Sequence, residues 1–514
     1  MPRSQTVDDS RDLASFGYLQ KLDRSLGSFS SFAAGFSYIS ILTGLFQMFY
    51  LGFGAGGPGM FWTWPLVFAG QFMVALCFAE LAAHFPLSGS VYQWSRRVGN
   101  GVVGKLAGWI YLACLVVTLA AVALALQVTL PQIAPWAQLI GHADNDMDAA
   151  RNAVVLGCLL IAATTLINSV GVRALAKINN LGVVSEIVGV VLLIILLFAH
   201  VQRGPEVVLD TMGKTGQMGY LGPFLAAGLM ASYVLYGFDT AGTLAEETSE
   251  PRRRVPLAIL QALAAAGTAG ALLLLAALLA AADIHSDRLA SMNGGLPFIV
   301  RDTLGGVIGS IFLCAVVFAI FVCALAVHTG TVRLIFAMAR DNCLPFSELL
   351  ARVSERSRIP VIPAVLVGIV AALILLLNWN FSKVVGLVTS VAIVWANLGY
   401  LFVTAPLLWQ RLHGWPHCRD IGPGVFSLGR WGLPINIAAV VWGCFMVANI
   451  AWPRHEVYGE AALQQWAAVI MTVFLLLAGG LYYGLVQRHK GGTLTSHQSG
   501  NRDQSQQSDV VSNA

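Results

Sequence analysis

Three carboxylic acids, Glu80, Glu186 and Asp239, lie inside long apolar stretches of the sequence. A charge at mid-membrane costs about 2.5–3.5 kcal/mol on insertion scales, so a functional role is the starting hypothesis for each acid. Glu80 lies near the end of its stretch, where a capping or snorkelling role is open to it. Glu186 is either functional or a hydrogen-bonded structural acid. Asp239 either serves a ligand or holds the ends of a broken helix.

The elements that must position these acids are membrane helices. The chain has 514 residues, of which 57% are hydrophobic and only 11% charged, whereas soluble domains are about 25% charged. Apolar runs of about 18 residues or more can each span a bilayer as a helix. The sequence predicts an all-α membrane protein with twelve spans, at 29–54, 60–84, 103–130, 152–170, 178–200, 221–245, 256–282, 305–332, 361–378, 384–410, 433–452 and 464–487.

The basic residues predict the orientation of these spans. Most of the 30 lysines and arginines fall on segments that share the side of the N-terminus, which the positive-inside rule assigns to the cytosol. We therefore expect a multi-pass protein of the cell membrane (plasma or inner membrane) with both termini cytoplasmic. Residues 1–28 are predicted to be a cytosolic segment, and the polar residues 488–514 a disordered tail. The net charge of +4 reflects this orientation, and no nucleic-acid partner is predicted.

Motifs of soluble enzymes are not supported by their context. The sequence GFGAGG at 52–57 matches G-x-G-x-x-G, but it follows a membrane helix where a dinucleotide site needs a strand. The sequence contains no Walker A, H-E-x-x-H or nucleophile-elbow pattern. Its eight cysteines form no C-x-x-C pair. No enzymatic activity, metal site or cofactor is predicted.

Two of the predicted spans carry breaks at corresponding positions. In the sixth span Gly237 and Gly242 bracket four residues, and glycine is a weak helix former. In the first span the sequence YISILTGLF at 38–46 has a similar weak point. Interrupted helices at matching positions in two halves indicate an inverted-repeat transporter with a midplane site. Glu186 and Asp239 are predicted to lie at one depth, about 9–12 Å from the cytosolic boundary.

Three blocks of sequence carry a family resemblance. They are FAELAAHFPLSGSVYQW (78–94), GFDTAGTLAEETSEPRRRVPLAI (237–259) and RLIFAMARDNCLPFSELLARVSERSRIPV (333–361). These blocks resemble signature regions of the amino acid–polyamine–organocation permeases. They are most similar to the amino acid/choline branch, which includes GABA permeases, and the similarity runs through residues 20–485.

The resemblance implies a LeuT-type fold with alternating access. Two inverted five-helix repeats would occupy 29–200 and 221–410, with two further helices in 433–487. It also implies secondary-active uptake of amino acids or related amines.

The resemblance also implies a binding site built from the two broken helices. The amides of the unwound first helix would bind a substrate carboxylate, because a helix N-terminus is positive. Tyr233 would be an aromatic gate, and carbonyl groups near Tyr233 and Tyr236 would face an amino group. The predicted substrate-binding residues are Ile41, Leu42, Thr43, Gly44, Tyr233, Tyr236, Gly237, Phe238 and Asp239.

The coupling ion is predicted from one departure from the family pattern. Glu186 occupies the position at which several amino-acid permeases carry a lysine that can stand in for sodium. An ionised carboxylate cannot do this, but burial favours the neutral form of a carboxyl group, and Glu186 is predicted to carry a proton. His328 falls near the position of a hydroxyl ligand in sodium-coupled relatives. It is either a packed, hydrogen-bonded histidine, as lone membrane histidines more often are, or a neighbour of Glu186 that takes part in proton coupling. Protons are therefore the expected partner ion, with sodium as the rival.

Other functions remain open at this stage. The substrate is expected to be a small amino compound, and choline, polyamines or amino-acid exchange are alternatives within the transporter class. A non-transporting membrane sensor with a transporter fold is the alternative from another class. A channel is a lesser alternative.

Overall fold

A computed structural model describes residues 3–142, 145–169, 171–216, 219–354, 358–377, 379–380, 384–416, 425–454, 458–459, 461–490 and 492–498. Within these ranges the chain is helical and contains no extended β-strand. The helices are α1 (Arg3–Ser15), α2 (Ser28–Ile39), α3 (Ile41–Gly56), α4 (Thr63–His84), α5 (Ser90–Val98), α6 (Gly101–Ala123), α7 (Ala125–Ile133), α8 (Asp146–Asn168), α9 (Val172–Ala199), α10 (Leu221–Val234), α11 (Thr240–Thr243), α12 (Pro251–Ala280), α13 (Gly295–Leu304), α14 (Gly306–Arg340), α15 (Ser347–Leu350), α16 (Val361–Leu377), α17 (Val384–Leu412), α18 (Gly432–Ala451), α19 (Ala462–Gln465) and α20 (Ala467–Leu485).

Nine helical stretches of the described chain are long and apolar enough to cross a membrane. The first of them, Ser28–His84, contains α2, α3 and α4. The helices α10 and α16 are apolar but shorter. The protein is therefore a multi-pass helical membrane protein, as the composition predicts. The exact count of twelve spans and their arrangement in two repeats stay predictions.

Several helices extend beyond their apolar runs. The run predicted at 305–332 belongs to α14, which continues to Arg340. The extension carries Arg333 and Arg340, whose guanidinium groups pair with Glu247 and Glu246 at 2.8 and 2.7 Å. Because these charges have buried partners, the helix continues past the end of its hydrophobic stretch.

The two interrupted segments lie at the centre of the bundle. α3 packs against α10, α2 packs against α12 and α9, and α14 packs against both α6 and α9. Most residues of α3 are buried, whereas in α20 only Ala468 and Gly479 are buried and the other residues are exposed or partly exposed. The site is thus surrounded by protein, while the last apolar helix faces outward.

Residues 492–498 pack against the C-terminal end of α14. The backbone N–H of Leu494 donates to Arg340 O at 2.8 Å, and Tyr18 and Gln498 form an isolated antiparallel bridge. The side chain of His497 is buried. The sequence predicts disorder from residue 488 onward, but these seven residues have fixed partners; residues 499–514 lie outside the described chain.

Candidate functional site

The first interruption is a single residue, Ser40. α2 ends at Ile39 and α3 begins at Ile41, and Ser40 between them has φ 32° and ψ 94°. Its hydroxyl oxygen accepts a hydrogen bond from the backbone N–H of Thr43 at 3.4 Å, as serine does when it caps a helix. The prediction of an unwound segment from Ile41 to Gly44 is wrong. These residues form the first turn of α3, because the cap at Ser40 lets the helix start at Ile41, four residues earlier than predicted.

The carboxyl group of Glu186 lies on the N-terminus of α3. Its Oε1 accepts hydrogen bonds from the backbone N–H of Leu42 at 3.1 Å and from the hydroxyl group of Ser40 at 2.9 Å. Glu186 is only 2% exposed. The first N–H groups of a helix lack intrahelical partners and lie at the positive end of its dipole, so they favour an anion. One of the amides predicted to bind a substrate carboxylate, that of Leu42, is thus occupied in this conformation by a carboxyl group of the protein itself.

The second interruption follows α10. α10 ends at Val234, residues 235–239 are not helical, and α11 follows. The sequence predicts a break bracketed by Gly237 and Gly242, but the observed break lies slightly earlier and Gly242 is helical. Gly237 has φ +89°, and a Cβ atom there would come within 1.8 Å of the Tyr38 ring. Only glycine fits both this backbone conformation and this close approach.

Asp239 ends the second interruption and is fully buried. Its Oδ1 accepts hydrogen bonds from the hydroxyl groups of Tyr111 at 2.5 Å and Tyr400 at 2.8 Å, and its Oδ2 accepts one from Ser90 at 2.6 Å. Tyr400 also accepts a hydrogen bond from the N–H of Gly237 at 2.9 Å. These bonds tie the interruption to α5, α6 and α17. The geometry favours the role of holding the broken helix over that of binding a ligand.

Three tyrosines lie beside the two interruptions. The ring centroids of Tyr38 and Tyr236 are 5.8 Å apart, and those of Tyr233 and Tyr236 are 6.1 Å apart. The hydroxyl group of Tyr236 shares a hydrogen bond of 2.8 Å with Thr118. The buried hydroxyl group of Tyr233 has no hydrogen-bond partner among the described residues. A buried, unpaired hydroxyl group is unusual, and the hydroxyl group of Tyr38 is unpaired in the same way, so Tyr233 and Tyr38 are the two tyrosines of this cluster suited to meet a ligand.

Two other predicted site residues serve packing. Phe238 is fully buried, and its ring lies 5.9 Å from that of Phe78 and 5.3 Å from that of Tyr400. Gly44 faces Val234, and a Cβ atom at Gly44 would come within 2.6 Å of the valine side chain. Gly44 therefore lets α3 and α10 approach each other closely.

The structure gives His328 hydrogen-bond partners other than Glu186, and a part of His328 in proton coupling stays a prediction. Its ring nitrogens interact with the Thr164 hydroxyl group at 3.1 Å and with Ala364 O at 2.9 Å. These contacts place His328 against α8 and α16. Cys323, also on α14, contacts α2 instead, and its thiol donates to Tyr38 O at 3.4 Å. Five residues turn a helix by about 140° beyond one full turn, so His328 cannot share the face of Cys323.

Glu80 belongs to a buried ion pair. Its carboxylate pairs with the guanidinium group of Arg411 and accepts a hydrogen bond from the backbone N–H of Leu428 at 2.9 Å. Both side chains are at most 4% exposed. Glu80 thus links α4 to α17 and to the segment before α18, which is a structural role.

The sequence analysis did not identify the residues that complete the site. Ser40 carries a readable signal, since serine is a preferred cap before a helical turn. Ser90, Tyr111 and Tyr400 carry none, because they lie 149, 128 and 161 residues from Asp239 in the chain. Within the described ranges no group of three or more histidine, cysteine or acidic side chains is placed to hold a metal ion.

Interrupted membrane helices that present backbone amides and a buried acid inside the bundle are typical of secondary transporters. Comparison with known proteins defines the family. The family model described as amino acid permease matches residues 26–478. This chain belongs to that family, within the amino acid–polyamine–organocation superfamily, which confirms the resemblance of the three sequence blocks.

Known relatives align with this chain over most of their length. The amino-acid permease BAT1 of Arabidopsis thaliana is 27% identical over 84% of this chain and 86% of its own. The GABA-specific permease of Saccharomyces cerevisiae is 24% identical over 94% of this chain and 85% of its own. A putative amino acid/polyamine transporter of Macrophomina phaseolina is 26% identical over 82% of this chain and 93% of its own.

Proposed function

We propose that this protein is a proton-coupled, secondary-active transporter that takes up a small amino compound by alternating access. GABA is the first substrate to test, since a relative that matches almost the whole chain is named a GABA-specific permease. The proposal includes twelve spans in a LeuT-type arrangement of five plus five plus two. It also includes a location in the cell membrane with both termini in the cytosol, in accord with the positive-inside distribution.

The hydrogen bond between Glu186 and the N-terminus of α3 carries the proposal. A substrate carboxylate that binds the first amides of α3 needs the N–H group of Leu42, which donates to Glu186 in this structure. Two ionised carboxylates cannot share one buried amide site, because they repel each other and compete for the same donor. Substrate binding therefore displaces Glu186 from α3.

Displacement couples the substrate to a proton. The displaced carboxyl group loses its two donors while it stays inside the bundle, and burial without donors favours the neutral form. Glu186 then takes up a proton as the substrate binds, and it releases the proton when the substrate leaves and the amides are free again. A zwitterion and one proton together carry a single positive charge inward. The membrane potential contributes about 2.3 kcal/mol per charge per 100 mV to that movement.

The second interruption supplies the other end of the substrate site. The last carbonyl groups of α10 have no following helical turn, so they can accept hydrogen bonds from an ammonium group. The unpartnered hydroxyl group of Tyr233 lies at the same helix end. A compound with an amino group and a carboxylate fits between α10 and α3.

The test begins with purified protein. Its thermal unfolding is measured in the presence of GABA, α-amino acids, choline and polyamines, and uptake of the compounds that stabilise it is then measured in proteoliposomes. We expect accumulation under an imposed proton gradient and none under a sodium gradient alone. Accumulation driven by sodium and insensitive to pH would refute the coupling. Binding without any transport would favour a sensor, and exchange without net uptake would favour an exchanger.

A further inference from the structure

A small cavity lies on the cytosolic side of the two interruptions. It is enclosed by α2, α9, α11 and α14, and its lining includes Ala34, Asn179, Thr240, Ala326 and Arg333. Asn179 precedes Glu186 by seven residues on α9, which places the cavity about 10 Å from Glu186 along that helix. With the predicted orientation of α9, this direction leads to the cytosol. The cavity therefore continues the path that a substrate would follow as it leaves the central site.

The cavity contains a buried ion pair. The Nε and Nη2 atoms of Arg333 donate to the carboxylate of Glu247 at 2.8 and 3.3 Å, and both side chains are 1% exposed. The third guanidinium nitrogen, Nη1, is buried and has no hydrogen-bond partner among the described residues. The Oδ1 atom of Asn179 is likewise buried and unpartnered. A buried, unsatisfied charged donor is costly unless a ligand meets it at another stage.

We propose that Arg333 is a second, release-side subsite for the carboxylate of a zwitterionic amino compound. Guanidinium is planar and presents more than one edge of N–H donors. One edge holds Glu247, and Nη1 offers another for a substrate carboxylate. Glu247 in turn attracts the ammonium group. The pair as a whole is neutral, so it matches a zwitterion better than a simple amine or a simple anion. This inference rests on the proposed function.

In the present conformation the subsite is too small to hold an amino compound. The cavity measures about 40 Å³, which is room for a few water molecules at most. The inner half-helices α2 and α11 must move apart before an amino compound can reach Arg333. The subsite would then act only from the cytosolic side.

The chain offers a matched control in Arg340. Arg340 also lies on α14, is also 1% exposed, and pairs with Glu246 through Nη1 and Nη2 at 2.8 and 2.7 Å. Its guanidinium group lies over the ring of Tyr18, 3.9 Å from the centroid, and it does not line the cavity. Replacement of either arginine by lysine keeps one positive charge opposite the acid, but only Arg333→Lys removes a donor from the cavity.

The experiment measures half-saturation separately on the two sides of oriented proteoliposomes. The probes are GABA and leucine as zwitterions, and putrescine as an amine without a carboxylate. Arg333→Lys should raise the cytosolic half-saturation concentration of the transported zwitterion about tenfold, because the substrate loses one hydrogen bond to a charged group. It should leave the external value unchanged, and Arg340→Lys should change the ratio of the two values little.

The outcomes separate this inference from the proposed function. If the wild type transports a zwitterion but Arg333→Lys leaves the ratio unchanged, or shifts it as Arg340→Lys does, the subsite is refuted and the transporter stands. If the wild type transports only putrescine, the carboxylate subsite is refuted. If it transports none of the probes, both proposals fail.

A second variant keeps the test open if Arg333→Lys does not fold. Ala326 lines the same cavity, and Ala326→Cys leaves the ion pair intact. Its labelling by an anionic thiol reagent from the cytosolic side should slow when the zwitterion is added on that side and should not slow with putrescine. The parent chain, with its native cysteines, sets the background. Labelling that the zwitterion does not slow would contradict the subsite.

Discussion

The carboxyl group of Glu186 accepts a hydrogen bond from the backbone N–H of Leu42 at 3.1 Å. Leu42 belongs to the first turn of α3, where a substrate carboxylate is predicted to bind. The residue predicted to carry a proton and the predicted carboxylate site are therefore one structural unit. Their competition for a single amide offers a physical basis for coupling that neither feature offers alone.

Replacement of Glu186 by glutamine tests this competition. Glu186→Gln keeps an oxygen that accepts from Leu42 but cannot exchange a proton. We expect substrate binding and exchange to persist, while uptake against a gradient and its pH dependence disappear. The assay is accumulation in proteoliposomes at several external pH values.

Ser40→Ala is the control for this substitution. It removes the other donor to Glu186 and a helix cap worth about 1 kcal/mol, yet it leaves the acid free to titrate. Uptake by Ser40→Ala should stay proton-driven. Accumulation that survives in Glu186→Gln would refute the role of Glu186.

Tyr233→Phe should lower substrate affinity without loss of stability. The substitution removes a buried hydroxyl group that has no protein partner, so no hydrogen bond of the fold is lost. A lost contact with a charged substrate group should weaken binding about tenfold. In Tyr236→Phe, by contrast, the hydrogen bond to Thr118 is lost and the free energy of unfolding should fall by about 1 kcal/mol. Thermal unfolding and ligand titration of both variants make the comparison; unchanged affinity in Tyr233→Phe would exclude that hydroxyl group from the site.

Asp239→Asn should reduce stability more than it reduces substrate affinity. An amide cannot accept the hydrogen bonds of Tyr111, Tyr400 and Ser90 as a carboxylate does, and a mismatched buried hydroxyl group costs about 1–3 kcal/mol. Tyr111→Phe, which removes one donor, should show a smaller loss in the same unfolding experiment. A variant Asp239→Asn with normal stability but no substrate binding would instead make Asp239 a ligand-binding residue.

Removal of one partner of the ion pair between Glu80 and Arg411 should strongly destabilise the protein. Glu80→Gln leaves the Arg411 guanidinium group buried without its counter-charge, which costs about 3–5 kcal/mol. The double variant Glu80→Leu with Arg411→Met should recover much of this loss, because apolar pairs often replace buried ion pairs well. Thermal unfolding in detergent compares the three proteins. A double variant that is no more stable than Glu80→Gln would contradict this expectation.

Docking of residues 492–498 should weaken as the pH falls from 6.5 towards 4. Burial, together with the nearby charges of Lys21 and Arg340, lowers the pKa of His497 from 6.5 to about 4, although Glu246 acts in the opposite direction. Protonation therefore favours the released segment, whose histidine has the ordinary pKa, and docking is insensitive to pH above 6.5. A spin label at Ser496→Cys should become more mobile over this range.

His497→Phe provides the comparison for the label experiment. Phenylalanine keeps an aromatic ring beside Phe336, whose centroid lies 5.7 Å from that of His497, but it does not titrate. The label should then stay immobile throughout. Equal mobility changes in both proteins would rule out His497 as the titrating group.

Local features of the sequence were enough for the class of protein and one of its main irregularities. Apolar runs, basic loops and three motif blocks depend on residues close together in the chain, and they predict a membrane permease. Gly237 likewise marks a broken helix, because its backbone conformation is one that glycine alone adopts readily. Even the cap at Ser40 follows from a short-range preference, although the first break lies at Ser40 itself and not at the predicted residues 41–44.

Contacts between distant helices were decided only by the tertiary structure. Glu186 and Leu42 are 144 residues apart, and the donors to Asp239 come from three helices whose facing is set by packing. His328 shares α14 with residues near the site, yet the rotation of that helix turns it towards α8 and α16. In membrane spans that are apolar on every face, the hydrophobic pattern carries little information on which face of a helix points inward. Residue types therefore determined which chemistry was available, and side-chain packing decided which groups meet.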